Sequence, residues 1–178
     1  MSTLTRPTTG PHTIWRLGDD VDTDALAPGA WMQFGIDVIA QHCLENLVPT
    51  FARDVRPGDV IVAGRNFGIG SSREQAAAAL VHLGVGTVIA ASYGGLFFRN
   101  AFNLGLVLLT CPQIEALQKQ ELTTIYLRGK KVVLTAGEEV ECDTVPDFLL
   151  DMARAGGLLP SLKRRLNNRS DTSKGESI

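Results

Sequence analysis

Three short apolar runs, "DVIVAG" at 59–64, "TVIAAS" at 87–92 and "LVLLT" at 106–110, constrain this chain more than anything else in it. Each is too short for a helix and is bounded by glycine or polar residues, so each reads as a buried strand. Between the first two lies "SREQAAAALVHLG", a helix that Gly84 closes. Between the second and third lies "YGGLFFRNAFNLG", a short helix or turn stopped by Gly105. A strand, "TIWRLG", and a helix, "IDVIAQHCLENL", precede this core, and "CPQIEALQKQ" follows it as a helix begun at Pro112. The stretch "TTIYLRGKKVVLTAGEEVEC" alternates apolar and polar around Gly129 and Gly137 and reads as hairpin-like strands. Strand and helix in alternation, followed by added β-structure, predict an α/β fold with a partly parallel sheet. The body spans residues 13–160. Residues 1–12 are expected to be a loose lead-in, and 161–178 a polar, flexible tail.

Charge narrows the partners. Seventeen Lys and Arg against nineteen Asp and Glu leave a net charge of −2, which advertises neither a nucleic-acid nor a membrane surface. The N-terminal stretch is polar and no run approaches the roughly 20 apolar residues of a membrane span, so a cytoplasmic location is expected. Cys43, Cys111 and Cys142 are scattered, with no C-x-x-C pair and no histidine at ligand spacing. That pattern predicts no metal held by this chain and buried, reduced thiols.

The segment "GRNFGIGSSREQAAAAL", 64–80, joins the first of these strands to its helix. Two readings follow from its residues. Ser71 to Glu74 fits the S-x-x-E capping box, in which the serine oxygen accepts an orphan N–H and the glutamate reaches back. Left over are glycines 64, 68 and 70, which let another group approach the backbone, a second serine, and Arg73, a cation in a first helical turn where the dipole disfavours it. Those residues suit a site for a carboxylate or phosphate at a helix N-terminus. The segment is neither a Walker A loop nor G-x-G-x-x-G. Upstream, "GDDVDTDALAPG", 18–29, crowds four aspartates together but lacks the Gly and Glu of a calcium loop; it reads as an Asx-turn loop, with Thr23 and Asp24 as possible caps.

Read together, "GDDVDTDALAPG", "DVIVAGRNFGIGSSREQAAAAL" and "VIAASYGGLFFRNAFNLGLVLL" resemble the small subunits of 3-isopropylmalate dehydratase, in the aconitase superfamily, over about residues 14–150. The resemblance implies a three-layer β/β/α swivelling domain. It also implies a hydro-lyase that isomerises 2- and 3-isopropylmalate by dehydration and rehydration, in leucine biosynthesis. A separate large subunit would carry the [4Fe–4S] cluster, in a heterodimer or heterotetramer, and this chain would hold no cofactor of its own. By the same resemblance Ser71 is the base that acts as an alkoxide, while Ser72 and Arg73 bind carboxylate and hydroxyl groups of a small dicarboxylate substrate. Asp24 orients a histidine of the large subunit, with Thr23 beside it at the substrate. Arg99 and Asn100 match a family motif in a structural or supporting role.

Departures from the family bear on the substrate. Gly35 stands where aconitases have an arginine for a third carboxylate, and Trp31-Met32-Gln33 stands where the isopropylmalate branch often has Tyr-Leu-Arg. Gln75 replaces a histidine that many relatives carry. A buried carboxylate without a partner costs several kcal/mol, so a tricarboxylate is disfavoured. Trp31, Met32 and Phe34 suit an apolar substituent, which makes residues 31–35 the expected specificity loop. Dimethylmalate, citraconate or methylmalate, and homoaconitate are the alternative substrates, and a non-catalytic anion-binding module is the alternative function.

Overall fold

The computed structural model describes residues 12–119, 124–128, 131–134, 137–143 and 145–172. Among the described residues, seven strands form one mixed sheet in the order β4-β3-β2-β1-β5-β6-β7. Strands β1 (His12–Arg16), β2 (Val60–Ala63), β3 (Thr87–Ala90) and β4 (Val107–Thr110) run parallel. Strands β5 (Thr124–Arg128), β6 (Lys131–Leu134) and β7 (Glu139–Glu141) add an antiparallel half. Strand β1 serves both. Its Ile14, Trp15 and Arg16 pair with β2, and its His12 and Thr13 pair with β5.

Parallel strands are covered on both faces, so their residues are apolar throughout rather than in alternation. Every residue of β2 and β3 is buried, as that rule requires. Helix α1 (Thr23–Leu26) follows β1, and the helix expected over 36–47 ends early, as α2 (Ile36–Gln41). The chain leaves α2 because Leu44 takes a left-handed φ of 60° and donates its N–H to Ala25 O at 2.8 Å. A short α3 (Phe51–Asp54) leads into β2. Helix α4 (Glu74–His82) crosses from β2 to β3 and α5 (Gly95–Leu104) from β3 to β4, each ending at the expected glycine, with φ of 84° at Gly84 and 89° at Gly105. Helices α2, α4 and α5 pack side by side over the sheet.

Helix α6 (Ile114–Leu117) is shorter than expected and begins after Gln113 rather than at Pro112. The turn expected at Gly129 lies outside the described residues, whereas Gly137 turns the chain between β6 and β7 with φ of 85°. Helix α7 (Asp147–Arg154) packs on α5, and α8 (Leu158–Thr172) runs through the stretch read from sequence as a polar tail. No described helix is long and apolar enough to cross a membrane.

Candidate active site

Ligands of open parallel sheets bind beyond the carboxyl ends of the strands, where the connecting loops gather. The loops leaving β1, β2 and β3 are bonded to one another there. Gly64 N–H donates to Gly18 O, Asp20 N–H to Arg65 O, Gly68 N–H to Val21 O and Thr23 N–H to Ile69 O, at 2.7–3.0 Å. Phe67 N–H donates to Ser92 O at 3.0 Å, and Gly94 N–H returns to Phe67 O at 2.9 Å. The strand order of the sheet is thus carried outward into a rigid platform.

The glycines serve this platform. A Cβ on Gly64 would lie 1.8 Å from Asp19 Oδ1, and one on Gly68, at φ 74°, would lie 2.2 Å from Cγ of Phe97. The groups that approach these backbones are this chain's own side chains.

The capping box does not form. Helix α4 begins at Glu74 with Arg73 as its N-cap, and no side chain caps it. A contact from elsewhere in the chain takes Ser71 instead: Thr23 Oγ1 accepts the Ser71 N–H at 3.1 Å and lies 3.3 Å from Ser71 Oγ. Thr23 is enclosed, only 3% exposed, while Ser71 and Ser72 face solvent. Asn100, nearly buried on α5, donates from Nδ2 to the Ser72 carbonyl at 3.3 Å, which gives it a structural task; Arg99 beside it is exposed. Neither Thr23 nor Asp24 caps α1; Asp22 does, accepting the Ala25 N–H at 2.7 Å.

Arg73 meets its anion within the chain. One nitrogen, Nη1, donates to Asp24 Oδ1 and, at 2.9 Å, to the Ala27 carbonyl. The same Asp24 oxygen accepts the Gly29 N–H at 3.0 Å. These bonds hold the Asp24 carboxyl below the usual aspartate range, the Arg73 hydrogen bond most and the Gly29 N–H next. The Nε and Nη2 hydrogens of Arg73 have no partner among the described residues, and its side chain is 28% exposed. A guanidinium held by one nitrogen keeps the geometry to take a carboxylate with the rest of its fork.

Gly29 also opens the expected specificity loop. Gly29–Trp31 form a single 3-10 turn, Phe34 N–H donates to Trp31 O at 3.0 Å, and Gly35 caps α2. Trp31 and Met32 are half-buried; Gln33, Phe34 and Gly35 are exposed. The Trp31 ring stacks on the imidazole of His42, with centroids 3.7 Å apart and planes within 8°. Reasoning from sequence missed His42, placing it inside a longer helix. Its signal was a histidine seven residues beyond Gly35, three positions ahead of Glu45.

The cysteines are free and buried. Burial pushes the Cys43 thiol up. A groove of about 480 Å³ between Asp19, Arg65, Pro112 and Glu115 lies at the roots of the same loops and does not include Ser71 or Arg73.

The family model for the aconitase C-terminal domain matches residues 45–114, the span from before β2 to the start of α6. The methanogen homoaconitase small subunit of Methanothermobacter thermautotrophicus is 44% identical over 147 residues, 82% of this chain and 86% of that protein. The 3-isopropylmalate dehydratase small subunit 1 of Archaeoglobus fulgidus is 43% identical over 151 residues, 84% and 94% of the two chains. Among solved structures, the crystal structure of 3-isopropylmalate dehydratase from Methanocaldococcus jannaschii matches with a TM-score of 0.82 at 36% identity, covering 91% of this chain and 98% of that one.

Proposed function

Because the chain belongs to the family of 3-isopropylmalate dehydratase small subunits, in the aconitase superfamily, we propose that it supplies the base and a carboxylate anchor to a hydro-lyase site shared with a large subunit. The reaction we assign is the interconversion of 2- and 3-isopropylmalate by dehydration and rehydration. One observation carries this reading: Ser71 lies exposed at the mouth of α4, held at its N–H and hydroxyl by the enclosed Thr23.

Dehydration of a substituted malate removes a proton from a carbon next to a carboxylate, and the electron pair becomes a C=C bond as the neighbouring C–OH bond breaks and its hydroxide departs into the part of the site that the large subunit would supply. A serine hydroxyl is a feeble base unless its alkoxide is stabilised. Hydrogen bonds to the charged form and nearby positive charge both favour it. Thr23 O–H can donate to Ser71 Oγ at 3.3 Å, and the amino end of α4 directs its dipole toward the same place. Ser71 then holds the abstracted proton at Oγ and returns it in the hydration step. Arg73, fixed through Nη1 by Asp24 and Ala27, offers Nε and Nη2 to a substrate carboxylate, and Ser72 adds a hydroxyl. The second oxygen of Asp24 has no partner among the described residues and would orient a histidine of the large subunit.

The [4Fe–4S] cluster that the family implies does not fit this chain. Its cysteines are dispersed and buried, and no three His, Cys, Asp or Glu converge among the described residues. We assign the cluster to the large subunit, in a heterodimer or heterotetramer. Residues 31–35 contain no cation, which supports an apolar substituent on the substrate. A second reading, homoaconitate, is favoured by the 44% identity to a homoaconitase small subunit.

The test is to mix the purified chain anaerobically with its large subunit and assay isopropylmalate, dimethylmalate, citraconate, homoaconitate and citrate. Turnover of isopropylmalate that needs both chains, and that Ser71→Ala lowers at least about a thousandfold, supports the proposal. Preference for homoaconitate moves the assignment to the second reading, and an active Ser71→Ala complex removes Ser71 from its role.

A further inference from the structure

We infer that His42, held by Glu45, is a positioning residue that sets the conformation of segment 29–35 and thereby which substituent the substrate can carry. The inference rests on the reading above, in which that segment faces the substrate.

Segment 29–35 has little structure of its own. It makes one 3-10 turn, and Gln33, Phe34 and Gly35 are exposed. Beside the packing of Trp31 and Met32 on the core, two attachments hold it. At its start, Gly29 N–H is bound to the Asp24 oxygen that also binds Arg73. In its middle, the Trp31 ring lies flat on His42, and Phe34 packs against Trp31 at a centroid distance of 5.8 Å.

His42 is itself constrained from both sides. Its Nδ1 lies 2.6 Å from Glu45 Oε2, which fixes the tilt of the ring on which Trp31 stacks. Its backbone N–H donates to Ile39 O at the end of α2. Two residues on, buried Leu44 takes its left-handed conformation and bonds to Ala25 O on α1, the helix that carries Thr23 and Asp24. A left-handed leucine is uncommon and persists where the surrounding structure demands it. The arrangement couples the helix bearing Thr23 and Asp24 to the Trp31 ring through the three residues His42 to Leu44. The orientation of Trp31 and Phe34 is therefore set by the same frame that sets Ser71 and Arg73.

The experiment has two arms on the same variants, His42→Ala, His42→Phe and Glu45→Gln. In the full-length chain alone, hydrogen exchange at the Trp31, Met32 and Phe34 amides reads the order of the segment without any substrate. His42→Ala is expected to speed that exchange about 3- to 10-fold, the span an aromatic pair is worth, while amides of β2 and β3 stay unchanged. His42→Phe, which can stack, restores most of the protection, and Glu45→Gln falls between. In the complex with the large subunit, His42→Ala is expected to raise KM for the favoured acid by a similar factor, leave kcat within about twofold, and narrow its preference over the other acids of the panel.

Unchanged exchange at 31–34 would overturn the anchoring. Faster exchange with an unchanged ratio of kcat/KM between acids would overturn the role in selection. A fall in kcat alone, equal for all acids, would make His42 merely structural. If wild-type complex prefers a different acid, the reading of the substrate fails while the ratio still tests His42. If it turns over none, the reaction fails and, with it, the selection; the exchange arm still decides the anchoring.

Discussion

Thr23 and Ser71 offer a substitution whose effects on stability and on activity separate. Thr23→Val keeps the shape of the side chain and removes its hydroxyl, which accepts the Ser71 N–H at 3.1 Å and sits 3.3 Å from Ser71 Oγ. Ser71 is exposed, so water replaces part of the lost partner, and the stability loss belongs at the low end of the range for an unmade bond, about 1 kcal/mol. Thr23→Ser keeps the hydroxyl and removes a methyl from a residue only 3% exposed, which also costs about 1 kcal/mol. The two variants should therefore melt alike in urea. Their activities should not match. A hydrogen bond to a charged group is worth about 1.5–3 kcal/mol, so if Thr23 stabilises a Ser71 alkoxide, Thr23→Val lowers kcat about 10- to 150-fold. Thr23→Ser stays within a few-fold of wild type, and KM changes little in either. The assay is steady-state turnover of the two-subunit complex beside urea melts of the chain. Equal kcat in the two variants would refute the reasoning, because the hydroxyl would then have no part in the reaction.

Other expectations concern the frame and the substrate. The Asp24 carboxyl is held low by Arg73 and Gly29, so its contribution to stability is present above the ordinary aspartate range and is lost as pH falls through its lowered value. Urea melts of wild type and Asp24→Asn should differ at neutral pH and converge below about pH 4; a gap that persists into acid would disprove the linkage. Gly68→Ala combines a left-handed backbone with a clash against Phe97 and should cost more than about 3 kcal/mol; a loss under about 1 kcal/mol would show that the platform yields. Gly35 has a φ of −69° and open space where a Cβ would stand, so Gly35→Arg should fold normally and shift the kcat/KM ratio toward acids with an extra carboxylate. No shift would place the segment away from the substrate.

The strands β2, β3 and β4 and the ends of α4 and α5 were legible because their signals are local: short apolar runs, and glycines where a helix must stop. The "GSSRE" segment was legible as the start of a helix, but its capping box does not form. Ser-x-x-Glu describes a helix end in isolation, whereas Thr23, remote in sequence and at the start of α1, claims the serine first. The glycines were legible as places of close approach, but the groups that approach, Asp19 from the β1 loop and Phe97 from α5, depend on how those elements are laid together. Asp24 and Arg73 were each picked out, but their pairing depends on how the β1 and β2 loops are laid together. The early end of α2 and the stacking of His42 on Trp31 follow from the Leu44 turn, which no propensity of leucine announces.

The division of labour in β1 orders events as the chain emerges during synthesis. Its residues Ile14 to Arg16 pair within the parallel half, which is complete once Thr110 has been made, and every loop that frames Ser71 lies in that stretch. Its residues His12 and Thr13 must wait for Thr124 and Ile125, a distant pairing of the kind that closes slowly. The platform around Ser71 can therefore assemble before the C-terminal strands have paired, and until they arrive the start of β1 is an open edge on which another nascent chain could pair.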